Sequence, residues 1–185
     1  MKRVLRALVP ASAALLVLLS ANSTSVVAQE PAAEPGPLFA IGEDMWRASS
    51  GSCWQCHGNM GNGRPEMRDR PAGSDFRRTT LTVEQIAEVI RCGRPGTGMP
   101  FFGRNAYEGD NRCFGVTREE LGNQAPAIGI PPMQARQIDA LAQFIAYQFV
   151  GRGPATEEEC LEFFGANASS CNRWPTRAEL EAEGD

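Results

Sequence analysis

The stretch Cys53-Trp54-Gln55-Cys56-His57 decides how the rest of this 185-residue chain is read. Two thiols separated by two residues and followed at once by a histidine have the spacing that attaches a c-type haem. Each sulfur adds to a vinyl group of the porphyrin, and the imidazole becomes an iron ligand. His57 is the chain's only histidine, so any site that needs an imidazole is here. A thioredoxin-like redox pair belongs beside a strand–helix–strand pattern, and nothing around residue 53 alternates in that way. A four-cysteine zinc site would have to recruit Cys92 and Cys113, which lack the paired spacing of a second ligand couple. One covalently attached haem c is therefore expected, held by Cys53 and Cys56, with His57 on its iron.

Upstream, Lys2, Arg3 and Arg6 precede an apolar run over 7–19, and Val26-Val27-Ala28 offers a small-residue cleavage site. The run is shorter than the ~20 residues of a membrane span and contains Pro10, so residues 1–28 read as a secretory signal peptide. Residues 29–37, rich in Pro, Ala and Glu, read as a flexible leader. Export to the periplasm as a soluble protein is expected, with no membrane span after cleavage and no nucleic-acid partner. Cleavage would remove three basic residues and take the formal charge from -4 to -7. The acidity is concentrated in the tail, where eight acidic residues from Thr156 onward face only Arg173 and Arg177.

The remaining pattern is helical. Phe39, Ile41, Met45 and Trp46 put apolar residues on one side of a short helix that ends before Ser49-Ser50-Gly51. Thr82 with Gln85 forms a capping box ahead of Ile86, Val89 and Ile90, and Gly93 supplies a stop. Ile138, Leu141, Ala142, Ile145 and Phe149 mark the longest helix, over 134–149, ended by Gly151. Thr156 with Glu159, and Thr176 with Glu179, head two short tail helices, and a further turn is expected near Arg118 to Leu121. Gly58-Asn59-Met60-Gly61-Asn62-Gly63 follows no strand, so it is not a nucleotide loop; its glycines let the backbone pass close to a flat ligand. No segment alternates long enough to argue a sheet.

In order, these elements resemble the small class I cytochromes c. A short helix leads into CxxCH and a glycine-rich turn, followed by a middle helix, the Gly98-Met99-Pro100 loop and a closing amphipathic helix bearing Tyr147. CWQCH and TGMPFF carry most of the likeness, which covers roughly 41–151 and is interrupted by 103–132. The resemblance implies an all-α fold in which the first and last helices cross around one haem. It also implies thioether links at Cys53 and Cys56, His57 proximal and Met99 distal, and single-electron transfer between redox proteins without bond chemistry. The domain would span 38–153 with the insertion 103–132, and 154–185 would be an acidic helical extension.

Met99 fits a distal role on its own chemistry, because a thioether favours ferrous iron and Pro100 restrains the loop that carries it. Met60 and Met67 follow His57 too closely to reach the opposite haem face easily, and Met133 can pack in the core. The four other cysteines allow three pairings, of which the local one, Cys92 with Cys113 and Cys160 with Cys171, is expected in an exported protein. Arg64, Arg68, Arg70, Arg77, Arg78, Arg91, Arg94 and Arg104 are candidates for a basic rim that steers an acidic partner. The donor would be a dehydrogenase and the acceptor an oxidase or other redox protein. Two other readings stay open: a dedicated electron-accepting subunit of a periplasmic dehydrogenase, for example a quinoprotein, and a haem enzyme or ligand-binding protein with an open distal site.

Overall fold

Helix α1 (Phe39–Arg47) has an apolar stripe that needs a partner, and it finds one in α5 (Ala135–Gln148). The molecule is described by a computed structural model for residues 35–48 and 53–183, all within the unit Ala32–Asp185. The signal peptide, most of the leader and the Ser49-Ser50-Gly51 helix stop lie outside the described residues. Where α1 meets α5 stands Gly42: a Cβ there would lie 2.1 Å from the Ala140 carbonyl oxygen and 2.7 Å from the Phe144 Cβ. The missing side chain is what lets the two backbones touch. Around this point Phe39 and Trp46 pack on Phe144 with centroids 5.4 and 5.9 Å apart, and Trp46 lies 5.0 Å from Phe149. Phe144 and Phe149 are fully buried, each worth about 1.5–3 kcal/mol over an exposed ring.

Helix α2 (Cys53–His57) carries the haem motif, and α3 (Val83–Cys92) packs Ile86 and Ile90 into the same core. The expected capping box at its start is formed in both directions, Gln85 N–H donating to Thr82 Oγ1 and Thr82 N–H to Gln85 Oε1. Gly93 ends it at φ 66°. The insertion builds a satellite core of Cys92, Phe101, Ala106, Tyr107 and Cys113 beside the short helix α4 (Arg118–Leu121). At its two edges stands what the sequence reading left out of an all-α fold. Strand β1 (Phe101–Gly103) pairs in parallel with β2 (Ile128–Met133), Phe101 opposite Ile128 and Gly103 opposite Met133. Period-two alternation cannot reveal this pair, because β1 is three buried residues long and Pro131 and Pro132 interrupt β2.

Both local disulfides are formed, Cys92–Cys113 and Cys160–Cys171. The tail helices α6 (Glu157–Phe164) and α7 (Arg177–Glu183) start where the threonines place them. The Thr176–Glu179 box is complete, but at Thr156 only one half is made. The Glu159 carboxylate, which the sequence assigned to the cap, bonds Arg77 instead. Cys160, Phe163 and Cys171 are buried in the main core with Trp46 and Phe149, so the tail is packed against the helices that cross.

Candidate functional site

In α2 the spacing of three puts the Cys53 and Cys56 side chains on one face, a turn apart. Both thiols are free, whereas the other four cysteines are paired. Part of Cys53 is accessible, yet the apolar packing around its sulfur pushes the thiol up to about 11, and the neighbouring Cys56 adds to the rise. Redox-active CxxC pairs need a lowered thiol pKa, so this environment does not suit them. Among the described residues no group of three His, Cys, Asp or Glu side chains could hold a metal ion.

The chain that follows α2 folds back over the helix end and satisfies its carbonyls. Gly63 N–H donates to His57 O, Gly73 N–H to Cys56 O, and Glu66 N–H to Gln55 O. This wrap requires left-handed φ values of 76°, 65° and 72° at Gly58, Gly61 and Gly63. It also delivers the partners of His57. The Nδ1 atom lies 2.9 Å from the Ser74 carbonyl oxygen, which can only accept, so Nδ1 carries the proton and Nε2 keeps its lone pair. Burial pushes the imidazole pKa down; the Ser74 carbonyl opposes this and the Arg94 charge reinforces it. The Phe76 ring stacks on the imidazole at 4.3 Å and 16°, and a Cβ on Gly73 would sit 2.6 Å from Nδ1. The result is a neutral, oriented imidazole at the end of a helix bearing two free thiols. This donor set fits a covalently bound haem: thiols for the vinyl groups and a bare Nε2 for the iron.

Met99 lies in the turn between α3 and β1, half-buried against the main core. Arg94 N–H donates to its carbonyl, its own N–H to Thr97 Oγ1, and the Thr97 hydroxyl to Arg94 O. Two contacts bring this turn to the segment that holds His57. Arg94 Nη1 donates to Ser74 Oγ at 3.0 Å, and Gly98 lies against the Pro71 ring. Met60 and Met133 are buried in the core, and Met67 is 40% exposed.

The eight arginines do not share one surface. Arg64, Arg68, Arg70, Arg78, Arg94 and Arg104 are exposed and Arg91 is half-buried, but Arg77 is 2% exposed and ion-paired, so it is no part of a rim. Sequence reasoning missed Gly73, Ser74 and Phe76, since only the backbone wrap brings them to the imidazole.

Residues 37–112 match the family described as cytochrome c oxidase, cbb3-type, subunit III. No curated protein and no solved structure matches the chain. The family matched is one of c-type cytochrome domains, consistent with the class I resemblance. Such a domain carries covalently bound haem c with iron, and implies electron transfer with redox protein partners rather than catalysis. Among the described residues no helix is long and apolar enough to cross a membrane.

Proposed function

We propose that the protein is a periplasmic monohaem cytochrome c that passes single electrons between redox proteins. Cys53 and Cys56 form the thioethers, and His57 and Met99 bind the iron from opposite faces. Haem c then supplies the one-electron couple, and the chain holds its two ligands still. The observation that carries this reading is the pairing of two free thiols with an imidazole whose Nδ1 is committed to Ser74 O, leaving Nε2 for iron. The Arg94–Ser74 and Gly98–Pro71 contacts support Met99 as the second ligand, because they tie its turn to the His57 segment.

The matching test is retention of haem. Wild-type protein keeps its haem through acid–organic extraction and denaturing electrophoresis, and Cys53→Ala with Cys56→Ala loses it. Full extraction from the wild type would contradict the assignment. Residues 1–28 act as the cleaved export signal, and amino-terminal sequencing of protein recovered from the periplasm checks that. A second reading is a dedicated electron-accepting subunit of a dehydrogenase. It is favoured by the outward face of β2, where Ile128 and Ile130 are 54% and 81% exposed. Copurification of a dehydrogenase that is lost on Ile130→Ser would select it.

A further inference from the structure

The short 3-10 turn Phe76–Arg78 does two jobs at once. Its first residue stacks on His57, and the Ser74 carbonyl just before it holds Nδ1. Its second residue, Arg77, reaches the opposite way into the tail. The Arg77 Nε–H donates to Gly153 O at 2.5 Å, and Nη2 donates to Pro154 O at 3.3 Å and to Glu159 Oε2 at 2.5 Å. The backbone closes the connection, Gly153 N–H donating to Arg77 O. Glu159 is fixed in turn, since it lies in the first turn of α6 beside the Cys160–Cys171 bridge. A guanidinium that is 2% exposed cannot leave this arrangement cheaply, because removing one partner of such a pair leaves the other charge buried without compensation. The segment 74–78 belongs to no α-helix or named strand. It is anchored by the Phe76 N–H bond to Gly61 O, the Asn62–Asp75 bridge, the Arg94 bond to Ser74 Oγ and the packing of Phe76 on Trp46 and Phe149, and from the tail side by this clamp.

We infer that Arg77 and Glu159 are positioning residues for the haem-ligating imidazole: the tail braces the 74–78 segment, which sets the orientation of His57 and the strength of its Nδ1–H bond to Ser74 O. This rests on His57 being the iron ligand. A carbonyl that accepts from Nδ1–H makes the imidazole a better donor to ferric iron, so loosening that bond raises the reduction potential. The charge effect must be separated from the positional one. Arg77→Met combined with Glu159→Leu removes one positive and one negative charge together, and such apolar replacement of a buried pair is often tolerated by the fold.

The experiment uses the full haem-loaded chain. Nitrogen-15 NMR of the reduced protein follows exchange of the His57 Nδ1 proton with solvent, and a redox titration gives the potential. In the double variant the exchange accelerates by about tenfold or more, as for a locally opened segment, and the potential rises. Arg77→Lys keeps the charge but cannot reproduce the fork to Gly153 O and Glu159, so its exchange stays fast. Glu159→Gln, a milder change, accelerates exchange in the same direction and serves if the double variant loads haem poorly. Wild-type exchange and potential in the double variant, with only thermal stability altered, would reduce the pair to a structural brace and overturn the inference. Restoration of both values by Arg77→Lys would assign the effect to charge and overturn it equally. A wild-type His57 without haem-shifted resonances would overturn the ligand reading first, and this inference with it.

Discussion

His57 is useful only as a neutral imidazole with one nitrogen committed and the other free, and three neighbours impose that state. Ser74 O accepts from Nδ1–H, Phe76 covers a ring face and burial disfavours the charged form. Gly73 leaves the room: its virtual Cβ falls 2.6 Å from Nδ1 and 2.8 Å from Cγ, inside any real contact. Gly73→Ala is therefore expected to push the imidazole off its carbonyl. The strain should cost about 1–3 kcal/mol of stability and shift the haem absorption bands, as denaturant unfolding and visible spectroscopy would show. An unchanged spectrum and midpoint would mean that the 71–74 segment yields freely. The thiols and the histidine were legible in the sequence because haem attachment demands a fixed local spacing. The residues that tune them were not, since Gly73, Ser74 and Phe76 come within reach only after sixteen or more residues of wrap. Arg77 was misread as surface for the same reason.

The helices were readable because caps and periodicity are local. Thr82, Gln85 and Gly93 punctuate α3 as expected, and α5 buries the stripe that Ile138, Leu141 and Ile145 announce. Long-range requirements left no such mark. Gly42 reads as a weakness inside α1 until Ala140 is found against it, and Glu159 reads as a cap until Arg77 claims its carboxylate. Strand β2 stayed hidden because Pro131 and Pro132 interrupt its pattern and its partner β1 is only three residues long. The crossing of α1 and α5 is the sharpest test at this scale. Gly42→Val must separate the helices, and a loss of about 1–3 kcal/mol or more is expected in chemical denaturation, with Trp46 fluorescence reporting the change. Gly109→Ala is a control for exchanging a glycine, as a Cβ there meets nothing within 4 Å, although its φ of 55° costs a little strain. Equal losses in the two variants would remove the close-approach argument.

At the scale of the whole molecule, the tail shares the core of the haem-binding segment. Phe163 packs with Phe144 and Phe149, Arg47 covers the Phe163 ring at 3.7 Å, and Arg173 pairs with Glu66 in the wrap after His57. Removing residues 154–185 strips Arg77 of its carboxylate and opens that core. Loss of the buried Phe163 alone should cost about 3–5 kcal/mol, read as a lower unfolding midpoint; a truncated protein as stable as the full chain would show the tail to be dispensable. The tail's acidity announced an extension, but its buried faces could not be read from charge. What the molecule does as a unit depends on whether its iron is closed on both sides, as a carrier with little reorganisation requires. The most direct measurement is the far-red sulfur-to-iron band of the oxidised protein, recorded with carbon monoxide uptake by the reduced protein. Wild-type protein and Met133→Ala should show the band and bind the gas poorly, while Met99→Ala loses the band, binds carbon monoxide readily and has a lower reduction potential. A wild-type protein that lacks the band and takes up carbon monoxide, or a band that survives Met99→Ala, would contradict the account.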